Sequence, residues 1–503
     1  MPPGWRTGTV GLRPGRMAEV RPVRNVRQLF IGGEWVDPST WATVEVVEAH
    51  TEDLFGVVPD AGPADVDRAV ARARAVFDTT AWPRLDVAER IAAVDRLIVE
   101  LELRSDELAS TITSENGSPI GFSRLGQVAA PLDIMRSMVD LATRTPWEER
   151  RTGRYADYLL RRVPVGVVAA VVAWNVPQVL IATKLAPALL AGCTVVVKAA
   201  PEASLDAVLL AEAVEAAGLP AGTVSVLTGG VETGRHLVAH PGVDKVAFTG
   251  STDAGRQIAS VCGASLTRVS LELGGKSAAI VLDDADLEAT SKGLRHASFM
   301  NNGQACAAQT RILAPRSRYG EVVDMVAALA DRMTVGDPFD PATRIGPLVS
   351  RRQRDRVRGY IELGTGEGAR LVAGGPTAPE DQPRGWFVRP TVFADVDNAM
   401  RIAREEIFGP VLVVIPYDDD ADAVRVADDS PYGLAGSVWT SDGERGLAVA
   451  RSVRTGSIGI NGYLPDPLAP FGGFGASGIG REWGEAGLEE YVELQAVNGI
   501  GPR

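Results

Sequence analysis

Apolar segments alternate along this chain with segments in which charged residues recur every three or four positions. Residues 65–77 and 88–108 show helical periodicity with charges between the apolar positions, which predicts two surface helices. β-Branched residues dominate 163–174 and predict a strand. The pattern continues as helix 181–191, strand 193–197, helix 203–217, strands 224–227 and 243–249, and a helix ending near Val261. This alternation favours an α/β fold with parallel sheets.

A second α/β block follows Gly275. Its predicted elements are strand 278–282, helix 287–299, strand 311–314 and helix 319–333. Residues 155–163 and 488–497 are strand-like runs that fit neither block, and exposed strands of this kind often form oligomer contacts. We predict a first block at 25–146 and 164–275, a second at 276–485, and a small β element at 147–163 and 486–503.

Composition narrows the range of partners. The chain has 503 residues, 45% of them hydrophobic, which is enough for two or three domains. Its net charge of −13 disfavours nucleic acid or an anionic membrane as the main partner. No apolar run is long enough to span a bilayer, so no membrane attachment is expected. Small molecules are therefore the expected partners.

The cysteines and the N-terminus indicate a compartment. Cys193, Cys262 and Cys306 are widely spaced, and with only four histidines they predict a reducing, cytoplasmic setting without disulfides or a metal site. Residues 1–24 are rich in arginine, glycine and proline and lack the apolar centre of a secretory signal. A disordered tail, or an extension upstream of a true start at Met17, is favoured over an organelle transit peptide.

Two short motifs suggest covalent chemistry. Cys306 lies among small residues at 303–311, and Glu272 ends an apolar strand just before Gly274 and Gly275. A thiolate can attack a carbonyl carbon and a carboxylate can activate water, so the pair could form and hydrolyse a thioester. A free cysteine is more often a small buried side chain, and Glu272 could equally form an ion pair at a strand end.

A glycine-rich turn at 250–255 connects a predicted strand to a predicted helix. Such a turn can present free backbone N–H groups and the positive end of a helix to a phosphate. It lacks the three-glycine dinucleotide fingerprint, so an ordinary tight turn remains an alternative.

A series of motifs between about Phe30 and Val497 resembles the NAD(P)-dependent aldehyde dehydrogenase superfamily. They are Ala-Trp-Asn-Val-Pro at 173–177, Val-Val-Val-Lys at 195–198, Phe-Thr-Gly-Ser-Thr at 248–252, Leu-Glu-Leu-Gly-Gly-Lys at 271–276, the cysteine segment at 303–311, Glu-Glu-Ile-Phe-Gly-Pro at 405–410, and the C-terminal signature at 470–473 and 477–482. The resemblance implies a Rossmann-like NAD-binding domain for the first block, an α/β catalytic domain for the second, and a β oligomerisation element that forms homodimers or homotetramers.

The resemblance also implies a role for each catalytic candidate. Cys306 would attack the aldehyde as a thiolate, which needs a lowered pKa or a nearby base. The side-chain amide of Asn175 and the backbone N–H of Cys306 would hold the oxyanion. Glu272 would activate the water that hydrolyses the thioester. Because members that pass the acyl group to coenzyme A commonly lack this glutamate, its presence favours hydrolysis.

NAD is the cofactor that the resemblance favours, with NADP possible, because no arginine stands beside Lys198 to bind a 2′-phosphate. The expected cofactor contacts are Trp174, Lys198, Glu202, Gly230, Phe248, Thr249, Gly250, Ser251, Leu273, Glu406 and Phe408. Two roles are open for Glu202: it could bind the ribose hydroxyls, or it could cap the helix that begins near Ser204.

The expected substrate channel is wide and apolar. Its predicted lining is Val176, Leu180, Thr183, Met300, Ala305 and Phe471. None is an arginine that could bind a carboxylate, so medium-chain aliphatic, terpenoid or aromatic aldehydes are favoured over a semialdehyde. Two other interpretations remain open at this point: a catalytically silent protein of the same fold, and a cofactor-independent hydrolase in which His296 activates Cys306.

Overall fold

The computed structural model describes residues 24–500. Its strands are β1 (Arg24–Asn25), β2 (Leu29–Ile31), β3 (Glu34–Val36), β4 (Thr43–Val47), β5 (Leu54–Pro59), β6 (Glu148–Arg151), β7 (Tyr158–Pro164), β8 (Val167–Val171), β9 (Thr194–Lys198), β10 (Val224–Leu227), β11 (Lys245–Thr249), β12 (Arg268–Glu272), β13 (Ala278–Val281), β14 (Arg311–Pro315), β15 (Arg370–Ala373), β16 (Thr391–Ala394), β17 (Val411–Tyr417), β18 (Gly436–Trp439), β19 (Gly459–Ile460), β20 (Gly478–Ile479) and β21 (Val492–Asn498).

Helices separate most of these strands. They are α1 (Pro63–Thr79), α2 (Val87–Leu103), α3 (Ser105–Asn116), α4 (Ile120–Phe122), α5 (Ala130–Arg144), α6 (Pro177–Ala191), α7 (Leu205–Ala216), α8 (Val231–Val238), α9 (Thr252–Ser265), α10 (Leu287–Phe299), α11 (Tyr319–Asp331), α12 (Arg351–Gly366), α13 (Arg401–Arg404), α14 (Asp420–Asp428), α15 (Gly443–Ser452) and α16 (Gly484–Glu489). The α/β fold predicted from the alternating pattern is confirmed.

The first large sheet has the strand order β20-β12-β11-β8-β9-β10-β2-β3. Its five central strands are parallel, whereas β20, β2 and β3 join the edges in antiparallel pairs. Pairing aligns Val171 with Lys198 and Thr249 with Glu272. The carboxyl ends of these strands therefore lie along one edge, where α/β folds commonly bind ligands.

The second large sheet has the order β15-β16-β17-β14-β13-β18-β19, and its strands are parallel except for β15. The segment with Cys306 leads into β14, and the segment with Glu406 leads into the adjacent β17. Both segments therefore lie at the amino ends of neighbouring parallel strands. The two sheets contribute opposite walls of one cleft.

Strand β7 pairs with β21 and β6 in a separate antiparallel sheet, as the strand-like runs at 155–163 and 488–497 suggested. The second run begins later than predicted, because Leu488 lies in α16 and the strand starts at Val492. Another small sheet, β1-β5-β4, was not predicted. The division of the chain into domains stays a prediction, and β20 joins the first large sheet although the second predicted block includes it.

Two predicted elements are divided in the structure. Residues 88–108 form two helices that break at Arg104, where the Arg104 N–H donates to the Leu101 carbonyl at 3.1 Å and Ser105 Oγ donates to the Glu102 carbonyl at 2.7 Å. The predicted strand 163–174 is divided at Gly166, whose φ of 133° turns the chain between β7 and β8. The predicted tail at 1–24 lies outside the described residues, except for Arg24, which begins β1.

Helix α6 forms the centre of the first block. Nearly all of its residues are buried, which fits a helix that is apolar on every face. The helix begins at Pro177, two residues after Asn175. Within residues 24–500, no helix is both long and apolar enough to cross a membrane.

Candidate active site

Cys306 lies after a left-handed turn that follows α10. Asn301, Asn302 and Gly303 have φ values of 52°, 61° and 73°. Asparagine and glycine tolerate this conformation better than other residues. A Cβ on Gly303 would also overlap the backbone of Gly409. The turn thus explains why small and amide residues precede the cysteine.

Buried amides hold this turn in place. Asn302 Nδ2 donates to the carbonyls of Gly117 and Pro347, each at 2.9 Å, and its Oδ1 accepts the Gly346 N–H at 2.7 Å. Gln304 Oε1 accepts the Val349 N–H at 3.0 Å. Since these groups are buried, each bond contributes to a fixed position for the cysteine segment.

Asn175 lies beside the same segment. Its Nδ2 donates to the Gln304 carbonyl at 3.2 Å. Its own carbonyl accepts from three side-chain amides, those of Asn301 at 2.8 Å, Gln127 at 3.1 Å and Asn116 at 3.2 Å. A primary amide has two hydrogens, so one stays available to a ligand in the cleft that Asn175 lines.

Glu272 ends β12 as a buried carboxyl group. Its Oε2 has no hydrogen-bond partner among the described residues, and its Oε1 lies where a Cβ on Gly472 would come within 2.7 Å. Burial and the nearby Glu482 carboxylate raise the pKa of Glu272 well above its usual range. Lys184 opposes this rise, and its Nζ donates to Glu482 Oε1 and Thr249 Oγ1, each at 2.6 Å.

Cys306 is partly buried on the wall of the cleft. Burial raises the pKa of its thiol to about 12, and the carboxylates of Glu406 and Glu272 add to the rise. The surroundings of Cys306 therefore hold the thiol protonated at neutral pH. Reaction requires a base rather than a preformed thiolate.

The cleft between the two large sheets has a volume of about 730 Å³, within the range of small-molecule sites. Of the predicted residues, those that line it are Trp174, Asn175, Thr249, Gly250, Ser251, Leu273, Cys306, Glu406 and Phe408. Ser251 Oγ accepts the Ala254 N–H at 3.3 Å and caps α9, whose first turn also lines the cleft. The positive end of this helix is suited to a phosphate.

One end of the cleft is shaped by Glu406 and Phe408. Glu406 Oε1 accepts the Gly275 N–H at 3.0 Å, and burial raises the pKa of its carboxyl to about 7. Phe408 has a φ of 65°, its carbonyl accepts from Gln353 Nε2 at 2.8 Å, and its ring lies edge-on to Trp174 with centroids 5.4 Å apart. Backbone and side-chain contacts thus fix both aromatic rings.

Lys198, Glu202, Gly230 and Phe248 lie beside the cleft rather than on its lining. Burial lowers the pKa of Lys198 to about 8, although Glu202 and Asp60 act in the opposite direction. Asp60 Oδ1 accepts the Gly230 N–H at 2.9 Å. The ring of Phe248 packs beneath Gly250, where a Cβ would overlap it.

The helix-capping alternative for Glu202 is wrong. The first N–H groups of α7, those of Leu205 and Asp206, donate to the Glu115 carboxylate at 2.6 and 3.1 Å. Glu202 instead accepts from Arg352 Nη2 at 3.4 Å. Its carboxylate is therefore not needed by α7.

The six residues predicted for the substrate channel surround the catalytic candidates in sequence but do not line the 730 Å³ cleft. Thr183 is buried and its hydroxyl donates to the Leu180 carbonyl at 3.1 Å. Phe471 packs against Trp483 with ring centroids 4.8 Å apart. Val176, Met300 and Ala305 flank Asn175 and the cysteine segment. The channel stays a prediction.

Helix α12 provides a wall of the cleft that the sequence motifs did not predict. Arg352, Arg356 and Tyr360 line the cleft four residues apart, which is one face of a helix. The signal was present as a dense run of arginines at 351–358 in an acidic chain, after Ser350, whose Oγ accepts the Gln353 N–H at 3.2 Å as a cap. Within the described range, no cluster of three or more histidine, cysteine or carboxylate side chains could hold a metal ion.

The chain is similar to known proteins over nearly its whole length. The family model described as "Aldehyde dehydrogenase family" matches residues 35–497. Geranial dehydrogenase from Castellaniella defragrans is 49% identical over 478 residues, which cover 94% of this chain and 99% of that protein.

Two solved structures are also similar. An aldehyde dehydrogenase from Mycobacterium tuberculosis, complexed with NAD+, is 48% identical with a TM-score of 0.93, covering 95% of this chain and 98% of that one. Aldehyde dehydrogenase C from Pseudomonas syringae, complexed with NAD+ and octanal, is 40% identical with a TM-score of 0.92, covering 95% and 97%. The chain belongs to the aldehyde dehydrogenase family.

Proposed function

We propose that this aldehyde dehydrogenase oxidises an apolar aldehyde to the carboxylic acid, with NAD as the hydride acceptor. The observation that carries the proposal is that Cys306 and Asn175 share one cleft, with the Asn175 amide 3.2 Å from the carbonyl of Gln304. A nucleophile and an oxyanion donor are thereby held together before any substrate binds.

The cleft suits a dinucleotide. Gly250 and Gly274 line the cleft and have no room for a Cβ, because Phe248 and the Glu406 carboxylate occupy that space. Ser251 and the first turn of α9 would bind the diphosphate, Lys198 and Glu202 the adenine ribose, and Glu406 the nicotinamide ribose. NAD, when bound, supplies the acceptor for the hydride that leaves the substrate carbon.

The first step forms a bond between Cys306 Sγ and the aldehyde carbon. Because the thiol pKa is raised to about 12, the proton must pass to a base, and Glu272 is the nearby carboxylate whose raised pKa suits that task. The carbonyl oxygen becomes an oxyanion that accepts hydrogen bonds from the Asn175 amide and the Cys306 N–H.

After the carbon has lost hydride, the acyl group remains on Cys306 as a thioester. Glu272 first gives the thiol proton to the solvent and then takes a proton from water, so that hydroxide attacks the acyl carbon. The carbon–sulfur bond breaks to release the acid, and the thiolate takes its proton back from Glu272. Lys184 and Glu482 act on Glu272 with opposite signs, so together they adjust how readily it accepts the proton.

An apolar substrate is supported by the absence of a charged side chain among the six residues predicted for the channel. The similarity to a geranial dehydrogenase and to an enzyme complexed with octanal points the same way. A kcat/KM panel of geranial, octanal, phenylacetaldehyde and succinic semialdehyde tests this. A preference for succinic semialdehyde would contradict it.

The reaction itself is tested by NADH formation with purified variants. Cys306→Ala should abolish turnover, whereas Cys262→Ala, which removes a buried thiol from α9, should not. Glu272→Gln should lose both the initial release of NADH and steady turnover, since neither the thiol nor the water would have its base. Steady turnover by Glu272→Gln would remove the general-base role.

We also propose how the chain assembles and in which compartment it is located. Strand β21 lies at an edge of its sheet with Leu494 exposed, which supports homodimers or homotetramers formed through this sheet. The three cysteines of the described chain are free, which supports a reducing cytoplasmic location.

A further inference from the structure

An arginine from the second block reaches Glu202 across the cleft. Arg352 lies in the first turn of α12 and lines the cleft, and its Nη2 donates to Glu202 Oε1 at 3.4 Å. The two residues are 150 positions apart in sequence. No arginine adjoins Lys198 along the chain, but this one comes close to the same place from the opposite wall.

Glu202 lies between two cations. Its carboxylate opposes the lowering of the Lys198 pKa by burial, and it pairs directly with Arg352. Lys198 is buried. Glu115 caps α7, so Glu202 has no structural task there.

We propose that Arg352 makes the choice between NAD and NADP depend on the charge of Glu202. While Glu202 is ionised, Arg352 holds it beside Lys198, where it accepts from ribose hydroxyls and repels a 2′-phosphate. Once that charge is removed, Arg352 and Lys198 together form a 2′-phosphate site. A guanidinium and an ammonium group are the side chains that bind phosphate best. This inference rests on the proposed function.

Arg351 provides a matched control. It is the neighbouring residue on α12 and pairs with Glu52 at 3.0 Å, away from Glu202. Both arginines are largely exposed, with 68% and 86% of the side-chain surface of Arg351 and Arg352 accessible. Exposed ion pairs contribute little to stability, so neither substitution should affect folding.

The experiment measures binding without turnover. Adenosine 5′-monophosphate and adenosine 2′,5′-bisphosphate differ only in the 2′-phosphate, and calorimetry gives their dissociation constants for the wild type, Glu202→Gln, Arg352→Ala and the double variant. Glu202→Gln should tighten bisphosphate binding by about tenfold, as expected for a new charge-assisted contact. The double variant should lose most of that gain. Glu202→Gln combined with Arg351→Ala should keep it.

Two results would overturn the inference. One is an unchanged affinity of Glu202→Gln for the bisphosphate, and the other is a gain that survives in the double variant. Both differ from failure of the proposed function, in which the wild type would bind neither NADH nor the monophosphate. NADH fluorescence with the wild type separates the two cases.

Discussion

At the residue scale, the side chain of Asn301 binds both the oxyanion donor Asn175 and the segment that carries Cys306. Asn301 Nδ2 donates both to the Asn175 carbonyl at 2.8 Å and to the Gln304 carbonyl at 3.3 Å. The Gln304 carbonyl also accepts from the Asn175 amide. Asn301 therefore sets the position of two groups that must act on the same carbonyl oxygen.

Asn301→Gly tests this role. Glycine keeps the φ of 52° without strain and removes only the side chain. We expect kcat to fall by about tenfold or more, with an unchanged KM for NAD, because preorganised oxyanion contacts act in the transition state.

Asn302→Gly is the matched control for that substitution. It also keeps a positive φ, but its bonds run to Gly117 and Pro347 rather than to Asn175. Its main expected effect is a lower melting temperature. An equal loss of kcat in both variants would indicate that Asn301 only supports the turn.

The pH dependence of the reaction is set by buried acids. Both Cys306 and Glu272 have raised pKa values, so each keeps its proton to higher pH and kcat/KM should rise from mildly acidic to alkaline solution. Glu482 is the main charge that raises the pKa of Glu272. Glu482→Gln should therefore move the rise to lower pH.

Glu490→Gln serves as the comparison, because Glu490 has a smaller effect of the same sign on Glu272. Its expected shift is smaller than that of Glu482→Gln. If the pH profile of kcat/KM shifts in neither variant, Glu272 is not the titrating group.

At the element scale, two buried carboxyls meet at the start of α7. Glu115 accepts two N–H groups of the helix, and Asp206 Oδ2 accepts from Gln178 Nε2 at 2.6 Å. Burial raises the pKa of Asp206 to about 7, and burial and the Asp206 carboxylate raise the pKa of Glu115 well above its usual range. Capping α7 in this way therefore buries two carboxyl groups, those of Glu115 and Asp206, away from water.

This pair should make stability fall with increasing pH. A carboxyl with a pKa raised in the folded state binds more protons there than in the unfolded chain, so its contribution is present at low pH and is lost up to about pH 7 for Asp206. Asp206→Asn should reduce the difference in melting temperature between acidic and alkaline buffers. If the difference in melting temperature is not reduced, other groups cause the pH dependence of stability.

Periodicity predicted several elements closely, including α10 at Leu287–Phe299 and β10 at Val224–Leu227. Motif order located nine of the residues that line the cleft, from Trp174 to Phe408, but none of those on α12. The break at Arg104 and the Glu115 cap were not predictable, because single side chains decide them through contacts that no periodic pattern encodes. The approach of Arg352 to Glu202 depends on the packing of two sheets.

At the scale of the whole molecule, the small sheet leaves an edge for assembly. Strand β21 pairs with β7 on one side only, and most of its residues are exposed. Leu494 has 64% of its surface accessible. Apolar exposure on an unpaired strand is typical of a subunit interface.

Leu494→Asp should weaken assembly by placing a charge on that edge. Sedimentation analysis should detect a shift toward smaller species, while the control Leu464→Asp, which changes a 94% exposed residue outside this sheet, should leave the distribution unchanged. If Leu494→Asp leaves the oligomer unchanged, the subunit interface lies elsewhere.

The contact between Lys184 and Glu482 joins residues 298 positions apart. During synthesis the lysine is made long before its counter-charge, and a buried cation without a partner is costly. The interior around α6 therefore cannot reach its final arrangement until the segment with Glu482 has left the ribosome. Since Glu482 also adjusts the base Glu272, products truncated before Glu482 should be both unstable and inactive.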